Sequence, residues 1–288
     1  MTLPPLPPER PGHPLPSDLA AMREQMRAQR DSGVYAIDPE PIEMALDHRR
    51  ALRVEPVHAP RGRVFHLHGG GFRNGAPEME APYADRLMRA CGVEVVLPEY
   101  RLASEHPFPA GINDAWAALQ AYAALESELP LIVSGQSAGG GLAASLAVLG
   151  AQVGLEIAGL VLIAPWLDLT GTSPAHERNR ASDALFSPES ARRAGELYLQ
   201  GADPRHPLAS PLFAPVESLP PTFIAVGVGE ILHDDSARFH ERLEQAGVPS
   251  ELLAIEGMEH VAVTRDPQAH GAPEAFARIV AFVNRVVG

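Results

Sequence analysis

The sequence predicts an α/β architecture, a mostly parallel sheet with helices on both faces. From Arg63 onward, short apolar runs rich in Val, Ile and Leu alternate with longer segments of helical pattern, the order that strand–helix–strand units produce. The runs are continuous rather than alternating in polarity, as befits strands covered on both faces. The chain has 288 residues, 45% of them hydrophobic, which suffices for one large core and excludes disorder throughout.

The elements follow in order. Residues 1–16 hold seven prolines; each fixes φ and lacks an amide donor, so this arm is expected to be extended or disordered and outside any sheet. Ser17 or Asp18 is placed to cap a helix over 19–30, in which Met22 and Met26 share one face. The polar content of that helix puts it at the periphery. Strands are expected at 64–67, 93–97, 131–133, 160–163, 222–226 and 252–255, and helices at 79–90, 111–125, 139–149, 236–246 and 273–287. Residues 129–155 carry no charge over a length that would cross a membrane. Pro130 and the run Ser134, Gly135, Gln136, Ser137 interrupt that stretch, which reads instead as strand, turn and helix. Between Asp168 and about Ala214 the alternation stops, and Pro, Ser, Arg and His surround one helical stretch at 188–200. This is expected to be an insertion above the sheet. With no internal repeat and no linker, residues 1–288 are expected to form one domain, capped by about 1–50 and about 168–214.

Lys plus Arg number 23 and Asp plus Glu 36, a net charge of −13, which argues against nucleic acid or an anionic lipid surface as partner. The single cysteine, Cys91, cannot close a disulfide within the chain, and MTLPPLPPER has no apolar run behind its charges. A cytoplasmic location without a membrane span is the expectation.

Gly135, Gln136, Ser137, Ala138 and Gly139 place GxSxG between an expected strand and an expected helix, the context in which such a serine is a strained, exposed nucleophile. The bland reading, a phosphate-binding turn, lacks support: no Lys follows Gly140 and GxGxxG is absent. His68, Gly69, Gly70, Gly71 and Phe72 follow another expected strand. Consecutive glycines can aim their amides at one point, as an oxyanion requires, with the Ala138 amide as a further donor. A serine nucleophile needs a base, and the base a carboxylate. Of twelve histidines, His260 is chosen because it follows the last expected strand, where the carboxyl edge of the sheet carries it toward Ser137. His68 is read as shaping its own loop, His106 as part of a Pro-flanked turn, and His66 with His68 as too few ligands for a metal. No metal or cofactor is implied. For the acid, Glu230, Asp234 and Asp235 compete. Glu230 is the first carboxylate after the strand at 222–226 and is preferred, with Asp234 second; Asp234 and Asp235 have an alternative role as caps of the next helix.

These residues resemble the hormone-sensitive-lipase-like esterases, the α/β-hydrolases marked by HGGG and GDSAGG. A third segment, YRLASEHPFPA at 100–110, looks like the family's YRLAPExxFPA, and EILHDD at 230–235 with GMEH at 257–260 aligns with its DPLxDE and GMxH patterns. The resemblance implies an α/β-hydrolase fold with a small helical cap, a triad of Ser137, Glu230 and His260, and an oxyanion hole formed by Gly70, Gly71 and Ala138. Gln136 stands where the family usually has an acidic residue, and Glu230 where it usually has aspartate. The implied activity is that of a carboxylesterase-type serine hydrolase. It would act through an acyl-enzyme on small-molecule esters of short to medium acyl chains, lactones included, and the likeness is compatible with a homodimer. The alternatives are an amidase or peptidase using the same triad, and a non-catalytic ligand-binding protein on a hydrolase scaffold, against which the presence of His260 counts.

Overall fold

The computed structural model describes residues 3–125 and 127–288. The expected strands appear in it as members of one eight-stranded sheet: β1 Ile42–Leu46, β2 Arg49–Val54, β3 Arg63–Leu67, β4 Glu94–Pro98, β5 Leu131–Gln136, β6 Gly159–Ile163, β7 Thr222–Gly227 and β8 Ser250–Ile255. Their spatial order is β1-β2-β4-β3-β5-β6-β7-β8. β2 pairs antiparallel with both β1 and β4, and every other pairing is parallel. The sheet is therefore mostly parallel, as expected.

The continuous apolar runs have the predicted cause. β3, β5, β6 and β7 are buried along their whole length, and alternate residues serve two separate cores. Phe65, Leu67, Val133, Leu160, Leu162 and Ile224 face one core, together with α3 Ala110–Ala123, α4 Ala138–Val153 and α7 His233–Gln245. Val64, Ile132, Val161, Ile163, Phe223 and Ala225 face the other, with α2 Ala81–Cys91 and α9 Ala272–Val287. Each fully buried Val, Leu, Ile or Phe side chain contributes about 2 kcal/mol of hydrophobic stabilisation.

β1 and β2 are not among the expected strands. They form a hairpin around Asp47 and His48, whose φ values of 45° and 66° give the left-handed pair a tight hairpin turn needs. Residues 42–50, assigned by the sequence reading to the cap with the rest of 1–50, thus lie in the sheet instead. The arm before them is extended but tied down. Gly12 donates its amide to Glu105 O at 3.0 Å, and Arg10 reaches the Leu199 carbonyl at 2.7 Å. The first helix, α1 Ser17–Asp31, follows Pro16 as its N-cap, and neither Ser17 nor Asp18 caps it. Arg23 fastens α1 to the carbonyls of Arg73 and Ala103 and to the Glu105 carboxylate. The insertion carries α5 Ala175–Arg178 and α6 Pro188–Leu199. Ser187 caps α6 by accepting from Ser190 N at 3.2 Å, with Pro188 in the first turn. A short α8, Ala262–Arg265, precedes α9. Among the described residues no helix is long and apolar enough to cross a membrane.

Strand order places the site. From β3 the chain passes to β4 on one side and then crosses back to β5 on the other. The loops leaving the carboxyl ends of β3 and β5 therefore meet at a switch point, where α/β sheets open a crevice.

Candidate active site

Ser137 stands between β5 and α4 with φ 52° and ψ −122°, a backbone that side chains rarely adopt. Hydrogen bonds on both sides hold it there. Its amide donates to Ile163 O at 2.9 Å, and its carbonyl accepts from Gly141 N at 3.1 Å and Trp166 N at 3.0 Å. The flanking glycines are sterically required: a Cβ on Gly135 would meet Gly139 O at 2.2 Å, and one on Gly139 would meet the Leu67 and His68 carbonyls at 2.2 Å. Strand, helix and glycine loop thus close to distances only glycine permits.

His260 lies beyond β8, just before α8. Its Nε2 is 3.0 Å from Ser137 Oγ and its Nδ1 is 2.6 Å from Glu230 Oε2. A carboxylate only accepts, so Nδ1 carries the proton and Nε2 is free to accept from the serine hydroxyl. Ser137, Glu230 and His260 are 6%, 1% and 8% exposed. Burial pulls the imidazole down, but the charge and hydrogen bond of Glu230, with a further contribution from Asp183, lift it above its ordinary 6.5. Such an imidazole, oriented and made more basic, can take a proton from Ser137.

Asp234 and Asp235 sit in the first turn of α7 but do not cap it, because Leu232 holds the N-cap position. Asp234 instead binds Arg178 at 2.5 Å and accepts from Ala175 N at 2.9 Å. Asp235 accepts from the amides of Leu167 and Asp168, both at 2.9 Å. Both carboxylates fasten the insertion to α7, and Glu230 alone of the three meets His260.

The glycine loop lies beside the serine: a Cβ on Gly69 would be 3.3 Å from Ser137 Cβ. Gly70, Gly71 and Phe72 run through left-handed backbone at φ 108°, 61° and 59°, and Ala138 opens α4, where helix amides are unpaired. The positive end of α4 thus lies at Ser137, a setting that suits a developing negative charge. His68 does shape this loop. Its Nδ1 donates to Gly69 O at 2.7 Å, its ring stacks on Tyr100 at 4.2 Å, and burial depresses its basicity. The segment 100–110 supports the same loop, with Tyr100 Oη donating to His68 O at 2.8 Å and Ala103 N to Phe72 O at 2.9 Å.

Two features emerge only when distant segments pack together. Phe186, from the insertion, stacks on the His260 ring at 5.6 Å and meets Trp166 edge-on, while Trp166 packs against Phe72. Beneath the serine runs a buried polar chain. Gln136 donates to Glu80 and accepts from the Thr264 hydroxyl, and His66 bridges Glu80 at 3.4 Å and Ser134 at 2.9 Å. Gln136 thus joins the strand before the nucleophile to the helix after His260.

The alpha/beta hydrolase fold family matches residues 64–264 of this chain. An acetyl-hydrolase of Streptomyces hygroscopicus is 35% identical over 239 residues, 82% of this chain and 79% of that protein. A carboxylesterase of Mycobacterium tuberculosis, NlhH, is 32% identical over 237 residues, 78% of this chain and 73% of its own length. Among solved structures, esterase EstE5 soaked with p-nitrophenyl butyrate matches with a TM-score of 0.84 at 31% identity, covering 96% of this chain and 94% of that one. An esterase from the bacterial hormone-sensitive lipase family matches with a TM-score of 0.83 at 28% identity, covering 96% and 100%. The motifs, the sheet and these likenesses agree: the chain belongs to the alpha/beta hydrolase fold family, as a hormone-sensitive-lipase-like carboxylesterase.

Proposed function

We propose that the protein hydrolyses carboxylic esters of short to medium acyl chains through an acyl-enzyme on Ser137. His260 takes the Ser137 proton as the hydroxyl attacks the ester carbonyl. The amides of Gly70, Gly71 and Ala138 receive the oxyanion, and Glu230 stays ionised and steadies the imidazolium. His260 then gives its proton to the departing alcohol, and water, activated by the same imidazole, releases the acid. The observation that carries this reading is the unbroken relay Ser137–His260–Glu230, with contacts of 3.0 and 2.6 Å.

A limit to short and medium chains is supported by the aromatic run Phe72–Trp166–Phe186, whose last ring stacks on His260, since bulky rings beside the reacting centre narrow the space for an acyl group. The name acetyl-hydrolase of one relative points the same way. The arm, α1 and the insertion are read as the cap over this pocket, and the one buried thiol, Cys91, suits a reducing cytoplasm. The test is a series of p-nitrophenyl esters from acetate to octanoate, with matched p-nitroanilides and a small lactone. Ester turnover falling toward octanoate, with lactone cleaved and anilide barely touched, is expected. Anilide turnover matching the ester would favour an amidase. No turnover of any ester would leave a binding protein.

A further inference from the structure

The insertion does more than roof the site, because residues 179–186 are stitched to the turn that carries Glu230. The Asn179 side-chain amide donates to both Val228 O at 2.8 Å and Glu230 O at 2.7 Å. Ser182 Oγ donates to Gly229 O at 2.8 Å. Asp183, 9% exposed, accepts from Ile231 N at 2.9 Å through Oδ2, and from the amides of Leu185 and Phe186 at 3.1 and 2.9 Å through Oδ1. One carboxylate therefore grips the residue after Glu230 with one oxygen and, with the other, the residue whose ring covers His260.

We infer that Asp183, assisted by Asn179, is a positioning residue for the acid–base pair. It fixes the Glu230 turn and the Phe186 roof as one body and adds a second negative charge toward His260. This inference rests on the reading of Glu230 as the triad acid. Geometry makes the argument. A carboxylate offers two oxygens to three amide donors lying on opposite sides, whereas the isosteric amide of asparagine offers one oxygen and turns an NH2 toward amides that also donate. A loosened turn at 228–231 would misplace the Glu230 carboxylate, to which catalysis is sensitive at the scale of 1 Å. The charge acts in the same direction: Glu230 and Asp183 both favour the imidazolium, and Arg265 opposes them. An uncharged residue at 183 therefore lets His260 lose its proton at lower pH.

The experiment measures kcat, KM and the pH profile on p-nitrophenyl acetate for wild type, Asp183→Asn, Asn179→Ala, Glu230→Ala and each double variant with Glu230→Ala, with thermal melting beside them. For Asp183→Asn the expected result is a drop in kcat of roughly tenfold, little change in KM, and an acid limb moved to lower pH. In the Glu230→Ala background the same change should cost less than about twofold, because there is no acid left to position. Should Asp183→Asn fail to fold, Asn179→Ala gives the same reading through the Glu230 carbonyl: loss in the wild-type background and little in the other. Equal losses in both backgrounds with an unmoved acid limb would reduce Asp183 to a packing role and overturn the proposal, as would a fully active Asp183→Asn. Wild-type activity in Glu230→Ala alone would bring down the acid assignment itself, and the positioning role with it.

Discussion

Glu230 and Gly227 share a hydrogen bond within one turn: the carboxylate Oε1 accepts from the Gly227 amide at 2.5 Å while Oε2 faces His260. The glutamate therefore folds back on its own loop, and its additional methylene is what lets one carboxylate reach both partners. A side chain at Gly227 would collide with Met258 O at 2.0 Å, so the turn is tight against the His260 loop from both sides.

The shorter acid should not span that gap. Glu230→Asp is expected to lose about a hundredfold in kcat on an aryl acetate, since it must give up either Gly227 or His260. Glu230→Ala should lose about ten-thousandfold. Asp234→Ala, which breaks the Arg178 pair and the Ala175 contact, should stay within about threefold of wild type. Steady-state kinetics on these variants decide it, and a collapse confined to Asp234→Ala would contradict the assignment.

Activity and stability should respond to pH in different ways. His260 must be neutral to act as base, and its proton affinity is raised by Glu230, so kcat/KM should fall on the acid side with a midpoint above 6.5. Burial pushes Asp235 up to about 8 from 3.8, outweighing the two amides that hold its carboxylate. The folded state then keeps a proton that the unfolded chain has released across that window. This contribution to stability is complete below 3.8 and is lost as pH rises toward 8. Melting temperatures at pH 5 and pH 8 should therefore diverge less in Asp235→Asn than in wild type. An equal difference in both proteins would contradict this.

The chain beneath the nucleophile gives a further expectation. Gln136→Glu would set a second carboxylate against buried Glu80, raising the proton affinity of the pair, so the variant should melt lower and its deficit should grow with pH. Thr264→Val removes the donor to Gln136 and should cost about 1 to 3 kcal/mol of unfolding free energy. Denaturant titration measures both, and a Gln136→Glu protein as stable as wild type at high pH would show that the network tolerates two anions.

The part of the site legible in the sequence is local. GxSxG and the glycine triplet announce their geometry because the backbone there tolerates only small residues at Gly135, Gly139 and Gly70, where a Cβ would approach backbone atoms to between 2.0 and 2.2 Å. Chain order and distance from the strand end singled out Glu230 and His260. The β1–β2 hairpin escaped notice because its turn is Asp47–His48 rather than the usual Asn-Gly, and β1 lies half-open at the sheet edge with little alternation to mark it. Asn179, Asp183 and Phe186 were illegible for another reason. Asn179 and Asp183 bond a turn about fifty residues away, and Phe186 stacks on His260; no periodicity links one loop to another. Gln136 was visible as a departure from the family pattern. Its partners Glu80 and Thr264 appear only when β5, the turn before α2 and α8 are packed.

The central claim is that Ser137 forms the covalent bond, and an active-site-directed aryl phosphonate tests it most directly. Intact-mass and peptide mass spectrometry should show one adduct per chain, mapped to Ser137, forming in step with loss of esterase activity, absent in Ser137→Ala and much slower in His260→Ala. Labelling of another residue, or inactivation that persists at the wild-type rate in Ser137→Ala, would contradict it.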